Sequence, residues 1–231
     1  LNNGLIDHIS VWFIEEGELL DHYQTGDTLP FLSRSMPYET FLFSIPKFDQ
    51  NLRVVMRLSS DGTLQVPINL WAESAFLVFN GEHSILIGLF FGILFAMGIS
   101  NLFFFVISRQ PVFLLYAGYV FSFALLLAAM QGIGYKYIWS DSPWMQKNSV
   151  SIWANATVFY AIVFTNILLD IKSVSPRLHK ILNALAILFA LSLIAGLFIP
   201  KSWFLEPFLF ALCGISLFIY AVGIWCWYKQ V

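Results

Sequence analysis

Apolar positions fall along this chain in two rhythms. From residue 85 onward they run almost unbroken in five stretches, about 85–107, 112–131, 148–169, 181–199 and 205–228. Each is close to the ~20 residues that a helix rising about 1.5 Å per residue needs to cross a hydrocarbon layer of about 30 Å. None carries a charge in its central turns. A buried helix of a water-soluble domain is shorter and is rarely followed by four more of its kind, so the five stretches predict five spanning helices. Before residue 72 the rhythm is alternation. In 5–14 (LIDHISVWFI), Ile9, Val11 and Phe13 share one face and His8, Ser10 and Trp12 the other, the pattern of a half-buried strand. Residues 18–24 and 39–45 are shorter strand candidates.

The clearest unit in this head is 52–58 followed by 64–71, a hairpin turning at Ser-Ser-Asp-Gly-Thr. Leu52, Val54, Met56 and Leu58 line one face of its first strand; Leu64, Val66, Ile68 and Leu70 line that of its second. Pro67 cannot donate to a ladder, which puts the second strand at an edge or a bulge. About five strands fall short of the roughly eight of a double-sheet jelly roll. The expected fold is therefore a partial, jelly-roll-like β-sandwich over 1–75, a linker over 76–84, and an all-α polytopic membrane bundle over 85–231. If the head is such a sandwich, its first strands lie upstream of Leu1, and an isolated 1–84 segment should fold poorly. The chain is accordingly read as a truncated piece, beginning at Leu1 and stopping at Lys229-Gln230-Val231.

Charge sharpens this division. Residues 1–84 carry 4 Lys/Arg and 11 Asp/Glu; residues 85–231 carry 8 and 3. Charged residues make up 11% of the chain, against roughly 25% in an ordinary soluble domain. A soluble enzyme, a disordered regulator and a basic nucleic-acid binder are all poor fits. Basic residues also set orientation: no Lys or Arg lies between Arg57 and the first apolar stretch, whereas Arg109 follows that stretch at once. By the positive-inside rule the head lies outside and the C-terminal end in the cytoplasm. The loop 132–147 is then external, with Tyr135, Tyr137, Trp139 and Trp144 suited to the membrane interface; Trp225, Trp227 and Tyr228 form a matching inner girdle.

Candidate chemistry is sparse. Arg53, Arg57, Gln65, Asn69 and Trp71 occupy the polar side of the 52–71 hairpin, and an aromatic plate beside hydrogen-bonding groups is what sugar binding needs. An ordinary solvated sheet face has the same composition. Gly88, Gly92, Ala96 and Ser100 repeat at four-residue spacing on the first span, a pattern that lets helices approach closely. Such patterns recur by chance in apolar segments, so packing within the chain's own bundle is the expectation, with a homodimer as the alternative. Asn101, Asn155, Thr165 and Asn166 are read as hydrogen-bonding glue between helices. His8, His22 and His83 lack ligand spacing, and the only cysteines, Cys213 and Cys226, sit 13 residues apart in one helix, too far for a disulfide. No catalytic motif occurs in a credible context, so neither an enzyme nor a cofactor is expected.

The order of residues carries more than their type. The head contains Gly26-Asp27, Leu29-Pro30-Phe31 and Leu70-Trp71. Gly88, Phe91-Gly92, Asn101, Tyr116, Gly132-x-Gly134 and Tyr137-Ile138-Trp139 follow. Over about 1–145 this series resembles the bacterial seven-transmembrane receptors with diverse intracellular signalling modules. The resemblance implies a periplasmic jelly-roll sensor, carbohydrate among its candidate ligands, on a seven-helix domain followed by a cytoplasmic cyclase, kinase or phosphatase module. Only five helices and no output module are present here. The leading reading is a signal-transducing receptor of the bacterial inner membrane whose partners are the lipid bilayer and a periplasmic ligand, with no nucleic acid. A small-molecule transporter or channel component is the alternative, though it would ordinarily show charges or broken helices at mid-membrane depth. An accessory envelope protein is a third.

Overall fold

The computed structural model describes residues 1, 3–60, 64–198 and 201–228, with the side chains of 195–209 and 227 outside that description. Three of the expected strands form: β1 (His8–Glu15), β2 (Glu18–Thr25) and β3 (Leu52–Ser59), in an antiparallel sheet of order β2-β1-β3. The β1–β2 turn runs through Glu16 and Gly17, both at positive φ (50° and 94°), a two-residue turn whose twist matches that of the strands it joins. The register sets Val11 opposite Tyr23 and Met56, and Ile9 opposite Leu58. Ile9, Val11 and Phe13 are buried with Ile6 and Phe41, and Tyr23, Phe43, Leu52, Met56 and Leu58 pack against them. The alternation in 5–14 thus points its apolar set inward as expected.

Two expected strands do not form. Residues 39–45 have no ladder, although Phe41 is buried; Pro37 and Pro46 bracket the segment and each lacks an N–H donor. Residues 64–71 also run outside any ladder, and three of the four side chains expected to face inward are exposed: Leu64 at 47%, Ile68 at 59% and Leu70 at 81%. Pro67 removes a donor from the middle of that segment. The expected hairpin turn includes 61–63, which lie outside the described residues.

The rest of the chain is helical: α1 (Glu73–Ser108), α2 (Pro111–Met130), α3 (Ile133–Tyr137), α4 (Pro143–Leu168), α5 (Ile171–Val174), α6 (Pro176–Phe198) and α7 (Lys201–Tyr228). Three of the long helices begin with proline, whose fixed φ suits the first turn and whose missing N–H costs nothing there. Among the described residues, α1, α2, α4 and the Pro176–Ile194 part of α6 are each long and apolar enough to cross a membrane, and α7 adds the apolar run Phe210–Cys226. The stretch 76–84, expected as a linker, continues α1. Glu73 opens that helix with a favourable charge for its dipole, and no proline follows to stop it. At 36 residues, α1 is about 54 Å long, well beyond a ~30 Å hydrocarbon layer.

Two compact units result: Leu1–Phe76 with Leu127–Val150, and Leu77–Leu126 with Ser151–Val231. The first joins the sheet to the connection between α2 and α4. In the second, Ala154, Val158 and Ile162 of α4 form one apolar cluster with Leu182, Ala186 and Phe189 of α6 and with Ile215, Val222 and Cys226 of α7. Asn155 accepts a hydrogen bond from Ser192, and Asn166 donates to Asn183 at 2.9 Å, so both tie α4 to α6 as expected of them. Asn101 instead donates to the Met97 carbonyl of its own helix. Both cysteines are free thiols.

Candidate functional site

The proposed ligand face is only partly assembled. Arg53 and Arg57 lie on β3, exposed, on the side of the sheet that also carries Ser10 and Trp12. Trp12 stacks on His22 with ring centroids 5.2 Å apart. Gln65, Asn69 and Trp71 lie beyond the strand, where Gln65 accepts a hydrogen bond from Asn3 through its backbone oxygen. Trp71 lines a separate open groove with Lys47, Phe48, Asp49 and Leu70. Two aromatic rings beside one cation and one carboxylate give that groove the means to stack on a sugar and bond its hydroxyls. His8 contacts Thr28, and His83 stacks on Phe79. Among the described residues no group of three or more His, Cys, Asp or Glu is placed to hold a metal.

The small-residue stripe also stands differently from its expectation. A Cβ at Gly88 or Gly92 would meet nothing within 4 Å, and Ala96 and Ser100 are exposed, Ser100 bonding back to the Ala96 carbonyl. The packed small residue on α1 is Gly98, where a Cβ would press into the Phe121 ring. Packing of the stripe within the chain's own bundle is therefore not what the described residues do.

The most elaborate polar constellation lies in the first compact unit. It begins at Gly26, where a Cβ would collide with the Asp7 carbonyl, and the Asp27 N–H bonds the Ile6 carbonyl. Only glycine allows that approach, and it aims the following Leu29-Pro30-Phe31 run. A 3-10 turn, Phe31–Ser33, then delivers Arg34 into the interior, 7% exposed. The Arg34 guanidinium lies 4.8 Å from the Phe31 ring centre, 4.4 Å from Phe41 and 5.5 Å from Tyr135. Its Nη1 donates to the carbonyls of Tyr38 and Glu39 at 2.8 and 2.9 Å. Nε and Nη2 make no hydrogen bond among the described residues, so the three aromatic faces are what that edge has in place of water. Burial pulls the Arg34 pKa down to about 10, against the attraction of Tyr135, Asp27 and Glu39; the group is charged at neutral pH.

The other half of this clasp comes from the connection after α2. Gly132 caps α3 at φ 76°, and a Cβ there would strike the Glu39 carbonyl. Tyr135 is fully buried, meets Phe31 edge-on at 5.6 Å, and donates its hydroxyl hydrogen to the Leu29 carbonyl. Lys136 pairs with Glu39 at 2.9 Å. Burial works against the Lys136 charge, but bonds to Glu39 and Tyr137 outweigh it and raise its pKa. Desolvation raises the pKa values of Tyr38 and Tyr135. Trp139 is 8% exposed and donates to Gln146 at 3.0 Å.

Tyr135 and Trp139 are therefore core residues of a protein joint rather than interfacial anchors, because their polar tips find partners inside it. Tyr137 and Trp144 remain exposed. Residue-type reasoning passed over Arg34 and Glu39, since a single Arg in a polar loop carries no pattern. The available signal was order: Gly26-Asp27, Leu29-Pro30-Phe31, Gly132-x-Gly134 and Trp139, which carry much of the resemblance, converge on this one joint.

Residues 83–231 match the family described as 7TM diverse intracellular signalling, and residues 1–72 match the one described as 7TMR-DISM extracellular 2. No curated protein and no solved structure gives a match. An extracellular N-terminal domain carried on several apolar helices defines a multi-pass membrane receptor with an extracellular sensor. The chain belongs to the 7TMR-DISM family of seven-transmembrane receptors with diverse intracellular signalling. Both matched regions are of sensing and membrane kinds rather than catalytic ones.

Proposed function

We propose that this chain is the sensing and membrane-spanning part of a bacterial inner-membrane receptor that reports a periplasmic ligand to a cytoplasmic output module. The observation that carries the reading is the Arg34 clasp. A ligand can alter a membrane bundle only by favouring one of its arrangements, and for that the sensor must hold the bundle by more than a flexible tether. Here the head grips the connection between α2 and α4 through a buried cation, an ion pair and a buried phenol. Alternation from an external head makes the α2–α4 connection external again and leaves the α4–α6 turn, with Lys172, Arg177 and Lys180, on the cytoplasmic side.

The ligand we propose is a carbohydrate, held either at the Trp71 groove or on the β3 face. Glycan-array binding by the intact protein in nanodiscs tests this, repeated with Trp71→Ala and Arg57→Ala. Loss of roughly tenfold or more in one variant, about 1.4 kcal/mol, assigns the ligand to that place. Binding that survives both changes removes both places. For orientation, a cysteine at Ser142 should react with a membrane-impermeant maleimide on intact cells, and one at Ser173 only after permeabilisation.

A further inference from the structure

A closed polar ring sits where α4 ends and α6 begins. His179 Nδ1 and Asn166 Oδ1 are 2.9 Å apart, Asn166 Nδ2 donates to Asn183 Oδ1 at 2.9 Å, and Asn183 Nδ2 and His179 Nε2 are 3.0 Å apart. His179 and Asn183 are one turn apart on α6, which lets both side chains reach one point on α4. Asn166 is buried, His179 half-buried and Asn183 exposed. The ring is one of two side-chain ties between these helices among the described residues, the other being Asn155 with Ser192.

The ring has a parity that the imidazole controls. Around the ring each amide turns its oxygen to one neighbour and its NH₂ to the other, and a neutral imidazole has one acceptor nitrogen and one N–H donor. Three such groups close a ring in either direction, whichever way the amides are assigned. An imidazolium offers two donors. Both asparagines must then present oxygen to it, which turns their two NH₂ groups toward each other and breaks the Asn166–Asn183 bond. No orientation of the two amides restores it. We propose that His179 is a proton-operated catch between α4 and α6, closed when the imidazole is neutral and opened when it binds a proton.

Among the described residues no other side chain hydrogen-bonds to a member of the ring. None of the ring members is a carboxylate. The charged side chains on the adjoining elements are Asp170 ahead of α5, Lys172 on α5, Arg177 and Lys180 flanking His179 on α6, and Arg109 ahead of α2. The phenols of Tyr116 on α2 and Tyr220 on α7 lie beside Phe164 and Thr165 of α4. α4 carries only Lys147, near its other end, and α7 brings no charge between Phe210 and Cys226, the run through which it packs on α4 and α6. Asn183 is exposed and can turn to water, but Asn166 is buried and its amide left without Asn183 is expensive, so an open ring favours separation of the two helix ends.

The test uses the whole chain in phosphatidylethanolamine/phosphatidylglycerol nanodiscs, with Cys213 and Cys226 replaced by serine and spin labels on Leu168→Cys and Ile181→Cys. Imidazole nitrogen shifts are recorded in parallel, His179 being assigned by difference from His179→Gln. Acidification from pH 8 to pH 5 covers the range in which histidine ordinarily changes charge. The expected result on acidification is a change of about 1–2 Å in label separation, the usual scale of helix shifts. That change should share its midpoint with the arrival of the second imidazole proton and be absent in His179→Gln. The proposal is overturned if the separation stays constant while His179 becomes doubly protonated. It is equally overturned if His179 stays neutral to pH 5, is already charged at pH 8, or if His179→Gln keeps the same response.

Discussion

At the scale of the residue, Arg34 shows what a buried cation needs. An isolated charge in a dry interior costs several kcal/mol, and this one is kept by two carbonyls on Nη1 and three ring faces around its plane. Lysine has one ammonium and no flat face, so it cannot bridge both carbonyls and stack at once. Arg34→Lys should lower the thermal midpoint of the detergent-solubilised chain, and Arg34→Ala should cost about 2–4 kcal/mol. Gly132→Ala should cost about 1–3 kcal/mol, because alanine must both hold a left-handed backbone and displace the Glu39 carbonyl. A melt unchanged in all three variants would show that the clasp does not hold the fold.

The same residues set an alkaline limit. Tyr38 and Tyr135 keep their phenolic protons above the ordinary value of 10, so the unfolded chain releases those protons first and stability falls as pH climbs past 10. Lys136, raised above 10.5, contributes fully below that value and loses its contribution as pH rises through the raised one. Arg34 acts in the opposite direction: burial lets the folded state shed its proton near 10, below the ordinary guanidinium value at which the unfolded state does, so its contribution grows with pH above 10. Two phenols and an ammonium oppose one guanidinium. Proteolysis of the head should accelerate above pH 10, and Tyr135→Phe should remove one late-titrating phenol from the absorbance at 295 nm.

At the scale of the element, the sequence was most readable where one interaction dominated. β1 was legible from alternation, because Ile9, Val11 and Phe13 all face one core. β2 and β3 showed it less cleanly, with Leu19, Leu20, Val54 and Val55 exposed, and the long helices were legible from apolar length alone. The segments 39–45 and 64–71 alternate as well, but alternation records burial preference and says nothing about a ladder partner. With Pro37, Pro46 and Pro67 withholding donors, neither segment acquires one. α3 was invisible: five residues, Ile133–Tyr137, are too few for a period, and what fixes them is the glycine cap at 132 and contacts far along the chain. The Glu39–Lys136 pair, 97 residues apart, tests the α3 attachment directly. Glu39→Lys and Lys136→Glu should each destabilise the head, and the double exchange should recover most of the loss, with a coupling of about 1 kcal/mol in a double-mutant cycle. Additive effects of the two changes would mean that the pair forms no functional contact.

At the scale of the whole molecule, the division by composition and the division by packing do not coincide. The charge boundary falls near residue 84, yet the compact unit that contains the sheet also takes in Leu127–Val150, a segment flanked on both sides by spanning helices. The head's interior is thus supplied from two places in the chain. In a segment of residues 1–84 alone, Arg34 would lose the Tyr135 face, Glu39 its cation and the Leu29 carbonyl its donor, while Phe31 would lose its edge-on ring. A three-stranded sheet with one apolar face is close to the lower limit of independent stability, so these losses fall where little margin exists. Residues 1–84 alone should give poorly dispersed amide spectra and a broad melt. The same residues joined to 127–150 through a flexible linker of about 20 residues, which spans roughly 25 Å, should recover dispersion and cooperativity. Arg34→Ala in the joined form should abolish that gain. A sharp melt from 1–84 alone would mean that the head stands without the clasp, and that the route from sensor to bundle runs through the start of α1 instead.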